Sequence, residues 1–207
     1  MERMVRYSSV TTAEIKPETR RKTSTKRGKM RKQKAGVSMD TTFTDARDAQ
    51  MILSGKTIQR LDIMNPFYGR TRHKGMTFGC GPAGYDVRVE FDERGEIPQI
   101  SLEPGEFRLA STIEQFNMPN NVLGIVHDKS TWARFGLAVQ NTVIEPGWKG
   151  FLTLELTNHS DREIIIQREM PIAQIIFHFV DEATDGYEGK YQEQKRGPIM
   201  PILEGCP

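Results

Sequence analysis

Residues 151–158 read FLTLELTN and alternate strictly. In an extended chain Leu152, Leu154 and Leu156 share one face, and Phe151, Thr153, Glu155 and Thr157 share the other. The pattern predicts a strand with one buried face. Related short segments recur along the chain: GYDVRVEF, QISLEPGEFRLAS, NVLGIVHD, LAVQNTVI, REIIIQ and IAQIIFHFV. Pro-Gly turns punctuate them at EPGEF and EPGWK. Many short strands at close spacing predict a mainly β fold, a sandwich or jelly-roll barrel. One stretch departs from this texture. MILSGKTIQRL places apolar residues at Met51, Ile52, Leu53, Ile58 and Leu61, with Ser54 as an N-cap, and predicts a short helix. NPFYGRTRHKGMTFGCGPAG reads as Gly-rich and irregular, and after Val180 the chain turns polar and tail-like.

The chain has 207 residues, 37% of them hydrophobic, enough for one domain with a real core. No apolar run reaches the length of a membrane span, and the N-terminus lacks the apolar core of a signal peptide. Cys80 and Cys206 cannot build a disulfide framework, so a reducing cytoplasm is the expected setting. The net charge of +2 conceals an asymmetry. Residues 1–50 hold 13 Lys or Arg against 6 Asp or Glu, a net +7; residues 51–207 hold 16 against 21, a net −5. The basic segment RRKTSTKRGKMRKQK is poor in large apolar residues, and its composition predicts disorder. Three readings of residues 1–50 stand side by side: a nucleic-acid-binding arm, a solvated tail, or sequence preceding an internal start at Met51.

The polar residues offer few ready-made motifs. Zinc deaminases need H-x-E with P-C-x-x-C, and His73, His127, His159 and His178 show no ligand spacing. Walker loops and dinucleotide fingerprints are absent, since GCGPAG lacks the G-x-G-x-x-G spacing. KSTWAR, residues Lys129 to Arg134, sets two hydroxyls between two cations. It can bind a phosphate chain, or it can be a solvated loop. Glu155 lies opposite the leucines of its strand. If that face is interior, burial raises its pKa and suits it to general-base work; if it is outward, a cross-strand cation would pair with it. Glu145 opens a Pro-Gly turn.

HDKSTWARFGLAVQNTVIEPGWKGFLTLELTN resembles the dCTP deaminase family, which shares its fold with trimeric dUTPases. Four further blocks support this in order: MILSGKTIQRL, GYDVRV, IAQIIF and GKYQEQ. The resemblance covers about Met51 to Pro201 and implies a distorted dUTPase-type β-barrel with a short N-terminal helix, assembled as a homotrimer with active sites between subunits. It implies a domain over 51–207 whose residues from about 181 to 207 form a C-terminal lid.

By the same resemblance Glu155 is the general base, and Ser130 and Arg134 assist catalysis. Lys129 and Thr131 contact the triphosphate, Glu145 approaches the deoxyribose where the family usually has Asp, and Thr153 and Leu154 supply backbone contacts. Gln174, Tyr187, Lys190 and Gln194 hold nucleotide and phosphates, although Tyr187 lies nearer to Lys190 than in the common bacterial form. The implied reaction is hydrolytic deamination of dCTP to dUTP and ammonia, with Mg²⁺ carried on the triphosphate, no zinc, and dTTP as a feedback ligand. One stretch departs from the common bacterial pattern. FGLAVQNTVIEPGW is two residues shorter, with Gln140 where a His stands. Gln140, Asn141 and Thr142 are the candidate neighbours of the base, and the change suggests a roomier or differently lined pocket, able to admit a substituted cytosine or a different phosphate count. Rival readings are a dUTP diphosphatase, a bifunctional enzyme releasing dUMP, and a non-catalytic nucleotide-binding protein. Glu155 favours deamination, because dUTPases generally lack a carboxylate there.

Overall fold

The computed structural model describes residues 51–140 and 142–205. The expectations for residues 1–50, Asn141 and Cys206 lie outside the described residues.

Helix α1, Gly55–Leu61, begins where the capping residue places it: the Ser54 hydroxyl accepts from the Thr57 amide. Two short strands follow, β1 Met64–Asn65 and β2 Thr71–His73, and then β3 Met76–Cys80. The Gly-rich sequence here predicts no regular element, yet a hairpin forms. Lys74 and Gly75 both adopt positive φ, 47° and 80°, and this two-residue turn pairs β2 with β3 through His73 and Met76. The next strands are β4 Tyr85–Glu90, β5 Gln99–Leu102, β6 Phe107–Asn117 and β7 Val122–Asp128. After them come helix α2 Ser130–Phe135 and strands β8 Leu137–Val139, β9 Val143–Ile144, β10 Lys149–Asn158, β11 Ile164–Gln167 and β12 Pro171–Phe179.

The architecture is mainly β, as the alternation predicts. The strand order β8-β10-β6-β4-β12-β7-β9 forms the main sheet, with β1 on β6 and the β2–β3 hairpin on β4; β5 and β11 form a separate pair. The segment LAVQNTVI does not run as one strand. It splits into β8 and β9, which lie at opposite ends of that order. A linker of three residues spans little more than 10 Å. The two ends of the sheet must therefore approach each other, and the sheet curls into a distorted barrel.

The β10 leucines point inward as predicted, with Leu154 and Leu156 essentially inaccessible and packed with Val87, Phe177 and Ile144 in one core. Each such side chain contributes about 1.5–3 kcal/mol through removal from water. Both Pro-Gly turns form where expected. The Trp148 amide donates to the Glu145 carbonyl at 3.1 Å across Pro146 and Gly147, and the Glu106 amide donates to the Glu103 carbonyl at 2.9 Å.

Candidate active site

Glu155 sits midway along β10, opposite Leu109 of β6. Alternation turns it away from the leucine core, yet the surface there is concave and the side chain is half-buried. Its Oε2 is buried without a hydrogen-bond partner, and burial pushes the carboxyl above the ordinary Glu range. The face is half-buried rather than interior, and Oε2 has no cross-strand cation for a partner. The Gln140 amide donates to the Glu155 carbonyl at 2.9 Å, which fixes the β8–β9 link beside the carboxyl-bearing strand.

A cavity of about 730 Å³ opens at Glu155. Its walls are largely apolar, from Phe107, Leu109, Ile144, Trp148 and Leu152, and it also gathers Thr142, Glu145, Thr153, Tyr187 and Gln194. Arg108 is the sole cation of this lining, and it is paired with Glu106 at 2.9 Å. Leu154 faces the core, so the strand backbone is what it can offer a ligand.

The chain beyond β12 is not a loose tail. The Tyr187 amide donates to the Pro146 carbonyl at 2.8 Å, and the Trp148 indole donates to the Tyr191 carbonyl at 2.6 Å. The Phe151 amide donates to the Gln194 carbonyl at 3.0 Å. The Thr153 hydroxyl accepts from both the Gln194 side chain and the Ile199 amide, each at 3.1 Å. Lys190 donates to the Ile202 carbonyl at 2.6 Å. The segment therefore lies along β10 and roofs part of the cavity.

The remaining predicted residues form a second group. Lys129, Ser130, Thr131 and Arg134 do not line the Glu155 cavity. KSTWAR is a short helix rather than a loop. Buried Trp132 anchors it by donating to the Pro171 carbonyl at 2.7 Å, and Gly136 closes it in the left-handed conformation. Lys129 is buried and donates to Asp86 at 2.7 Å. Gln174 is the register partner of both Asp86 and His127, so it stands on the wall beneath that pair. Ser130 and Arg134 are exposed, with the guanidinium donating to the Ser130 carbonyl at 2.8 Å.

Several structural residues escaped the sequence reading. Asp128 accepts from the Val139 amide at 2.7 Å and so ties the end of β7 to the end of β8. Glu90 and Glu114 are fully buried carboxylates paired with arginines. They stand among the alternating positions of ordinary strands, and only the partners, distant in sequence, reveal them.

The fold is one that other solved structures share. The solved structure of 2′-deoxycytidine 5′-triphosphate deaminase from Agrobacterium tumefaciens shares it at a TM-score of 0.51 and 17% identity, over 63% of this chain and 48% of that one. A family model described as dCTP deaminase-like matches residues 82–180. A dCTP deaminase of Campylobacter hominis is 38% identical over 183 residues, 73% of this chain and 96% of the relative. One from Wolbachia is 32% identical over 169 residues, 69% of this chain and 91% of the relative. The chain belongs to the dCTP deaminase family.

Proposed function

We propose that this protein catalyses the hydrolytic deamination of dCTP to dUTP and ammonia. The observation that carries the reading is Glu155: a half-buried carboxyl without a cation partner, raised by burial, at the wall of a nucleotide-sized cavity. A carboxyl whose pKa is raised holds and returns a proton more readily than an ordinary exposed one. In the proposed mechanism Glu155 removes a proton from a water that adds to the ring carbon bearing the amine. It then delivers a proton toward the leaving nitrogen, so one water is consumed and one ammonia released.

A triphosphate carries about four negative charges and needs several cations. The cavity supplies only Arg108 and contributes Glu145 and Glu155 of the opposite sign. This mismatch supports a site completed by a neighbouring subunit of a homotrimer. In that assembly the exposed Ser130 and Arg134 of one chain face Glu155 of the next, Arg134 and Ser130 stabilising charge at the ring and Thr131 meeting phosphate. Lys129 then acts from beneath, through its pairing with Asp86. Thr153, Leu154, Gln174, Tyr187, Lys190 and Gln194 complete the nucleotide contacts, with Glu145 toward the sugar and Gln140 and Thr142 toward the base. Among the described residues no three His, Cys, Asp or Glu side chains are grouped to hold a metal ion. In this reading Mg²⁺ is carried by the triphosphate, where it neutralises charge. No helix among the described residues is long and apolar enough to cross a membrane.

Glu145 on the cavity rim favours a second reading, in which dUTP is cleaved onward to dUMP. Incubation with dCTP, dCMP and dUTP, with and without Mg²⁺, separates the two. Ammonia and dUTP from dCTP support deamination alone. Pyrophosphate and dUMP from dUTP establish the second activity.

A further inference from the structure

Glu90 ends β4 on the barrel wall and is fully buried. Its carboxylate accepts from the Arg168 Nε through both oxygens, at 2.9 and 3.0 Å, and from the Phe91 amide at 3.1 Å. It also accepts from the Arg196 Nη2 at 2.6 Å. Arg168 stands in the turn between β11 and β12. Arg196 belongs to the C-terminal segment, 106 residues along the chain from Glu90.

The backbone on either side of Arg196 is seated by close approach. Before it, Gly150 of β10 has φ 138°, and a Cβ there would meet the Gln194 nitrogen at 2.6 Å. After it, Gly197 has φ 94°, and a Cβ there would meet the Glu93 nitrogen at 3.0 Å. Only glycine lets the two stretches of backbone lie so near. Between these contacts, among the described residues, the one charged tie from segment to barrel is Arg196 on Glu90. Just beyond them the segment delivers Gln194 and Ile199 to the hydroxyl of Thr153, on the same face of β10 as Glu155.

We propose that Glu90 and Arg196 form a latch that sets the C-terminal segment over the Glu155 cavity, making Arg196 a positioning residue for the nucleotide. The nucleotide part of this statement rests on the proposed deaminase activity; the latch itself does not. A charge-assisted hydrogen bond to a buried carboxylate is among the stronger polar ties in a protein, and its loss frees the segment to open more often.

The test uses the full chain. Glu90→Gln risks the fold, since it leaves Arg168 beside a neutral partner. Arg196→Ala keeps Glu90 paired with Arg168 and is the informative variant. Hydrogen exchange without nucleotide reads the amides of Phe151 and Ile199, with the Leu152 amide, bonded to Thr112 inside the barrel, as the internal control. Arg196→Ala is expected to speed exchange at Phe151 and Ile199 by about tenfold or more and to leave Leu152 unchanged. Arg196→Lys should restore most of the protection. The KM for dCTP should rise by about tenfold in the alanine variant, with kcat changed far less. Unchanged exchange at Phe151 and Ile199, or equal acceleration at Leu152, overturns the latch. A raised KM with unchanged exchange overturns it too, because Arg196 would then touch the nucleotide directly. If the native chain does not turn over dCTP, the functional reading fails, and exchange still decides the latch.

Discussion

Lys129 directs its ammonium into Asp86, 2.7 Å away, with both side chains largely withdrawn from water. The residue that the family resemblance assigns to phosphate is thus also a strut between α2 and β4. Removing one partner of a buried pair strands the other charge, at a typical cost of about 3–5 kcal/mol. Lys129→Ala is therefore expected to lower unfolding stability by a few kcal/mol, measured by denaturant titration. A pure phosphate contact would raise KM and leave stability unchanged.

Glu155 pays for its position in stability. Its raised pKa means that the folded state binds the proton more tightly than the unfolded chain does. That contribution is full below the unfolded pKa and is lost as pH rises through the folded pKa. Glu155→Gln removes the cost of ionisation. The variant should gain thermal stability relative to the native protein at pH 7 to 8 and little or none near pH 4, while losing about 100-fold or more in turnover. Thermal melts at both ends of the range check the sign.

The same shift predicts the acidic limb of the rate profile. A general base must be ionised, so kcat/KM should rise with pH through a pKa above the ordinary Glu value of about 4.3. A limb at or below that value would place the active proton on another group.

The proposed sharing of one site between two chains predicts complementation. Arg134→Ala and Glu155→Gln should each be nearly inactive. Unfolded together and reassembled, random mixing would recover roughly a quarter of native activity, because some sites pair an intact α2 with an intact Glu155. No recovery in mixed assemblies would show that both residues act from one chain.

The legible part of this molecule follows from period and punctuation. The leucines of β10, the Ser54 cap and the two Pro-Gly turns were visible because each is a local pattern whose geometry is fixed within a few residues. The β2–β3 hairpin was not, because its turn is Lys74-Gly75, and a lysine at positive φ carries no strong signal. The helical form of KSTWAR depends on Trp132 finding the Pro171 carbonyl, a contact 39 residues away. The sequence alone left Glu155 equally suited to an inner or an outer face, since alternation assigns sides of a strand and not the curvature of the surface beyond it. The C-terminal segment is expected as a lid only through the family resemblance; its seating joins Gln194, Arg196 and Gly197 to Thr153, Glu90 and Glu93, partners far apart in sequence that no local pattern connects.

The central claim is that Glu155 drives loss of the amine from an intact triphosphate. Its most direct measurement is simultaneous quantification of ammonia, dUTP, dUMP and pyrophosphate from dCTP with Mg²⁺, for the native chain and for Glu155→Gln. The proposed mechanism predicts ammonia and dUTP in equal amounts from the native protein, and neither from a folded Glu155→Gln variant that still binds dCTP. Undiminished ammonia release by that variant would contradict it.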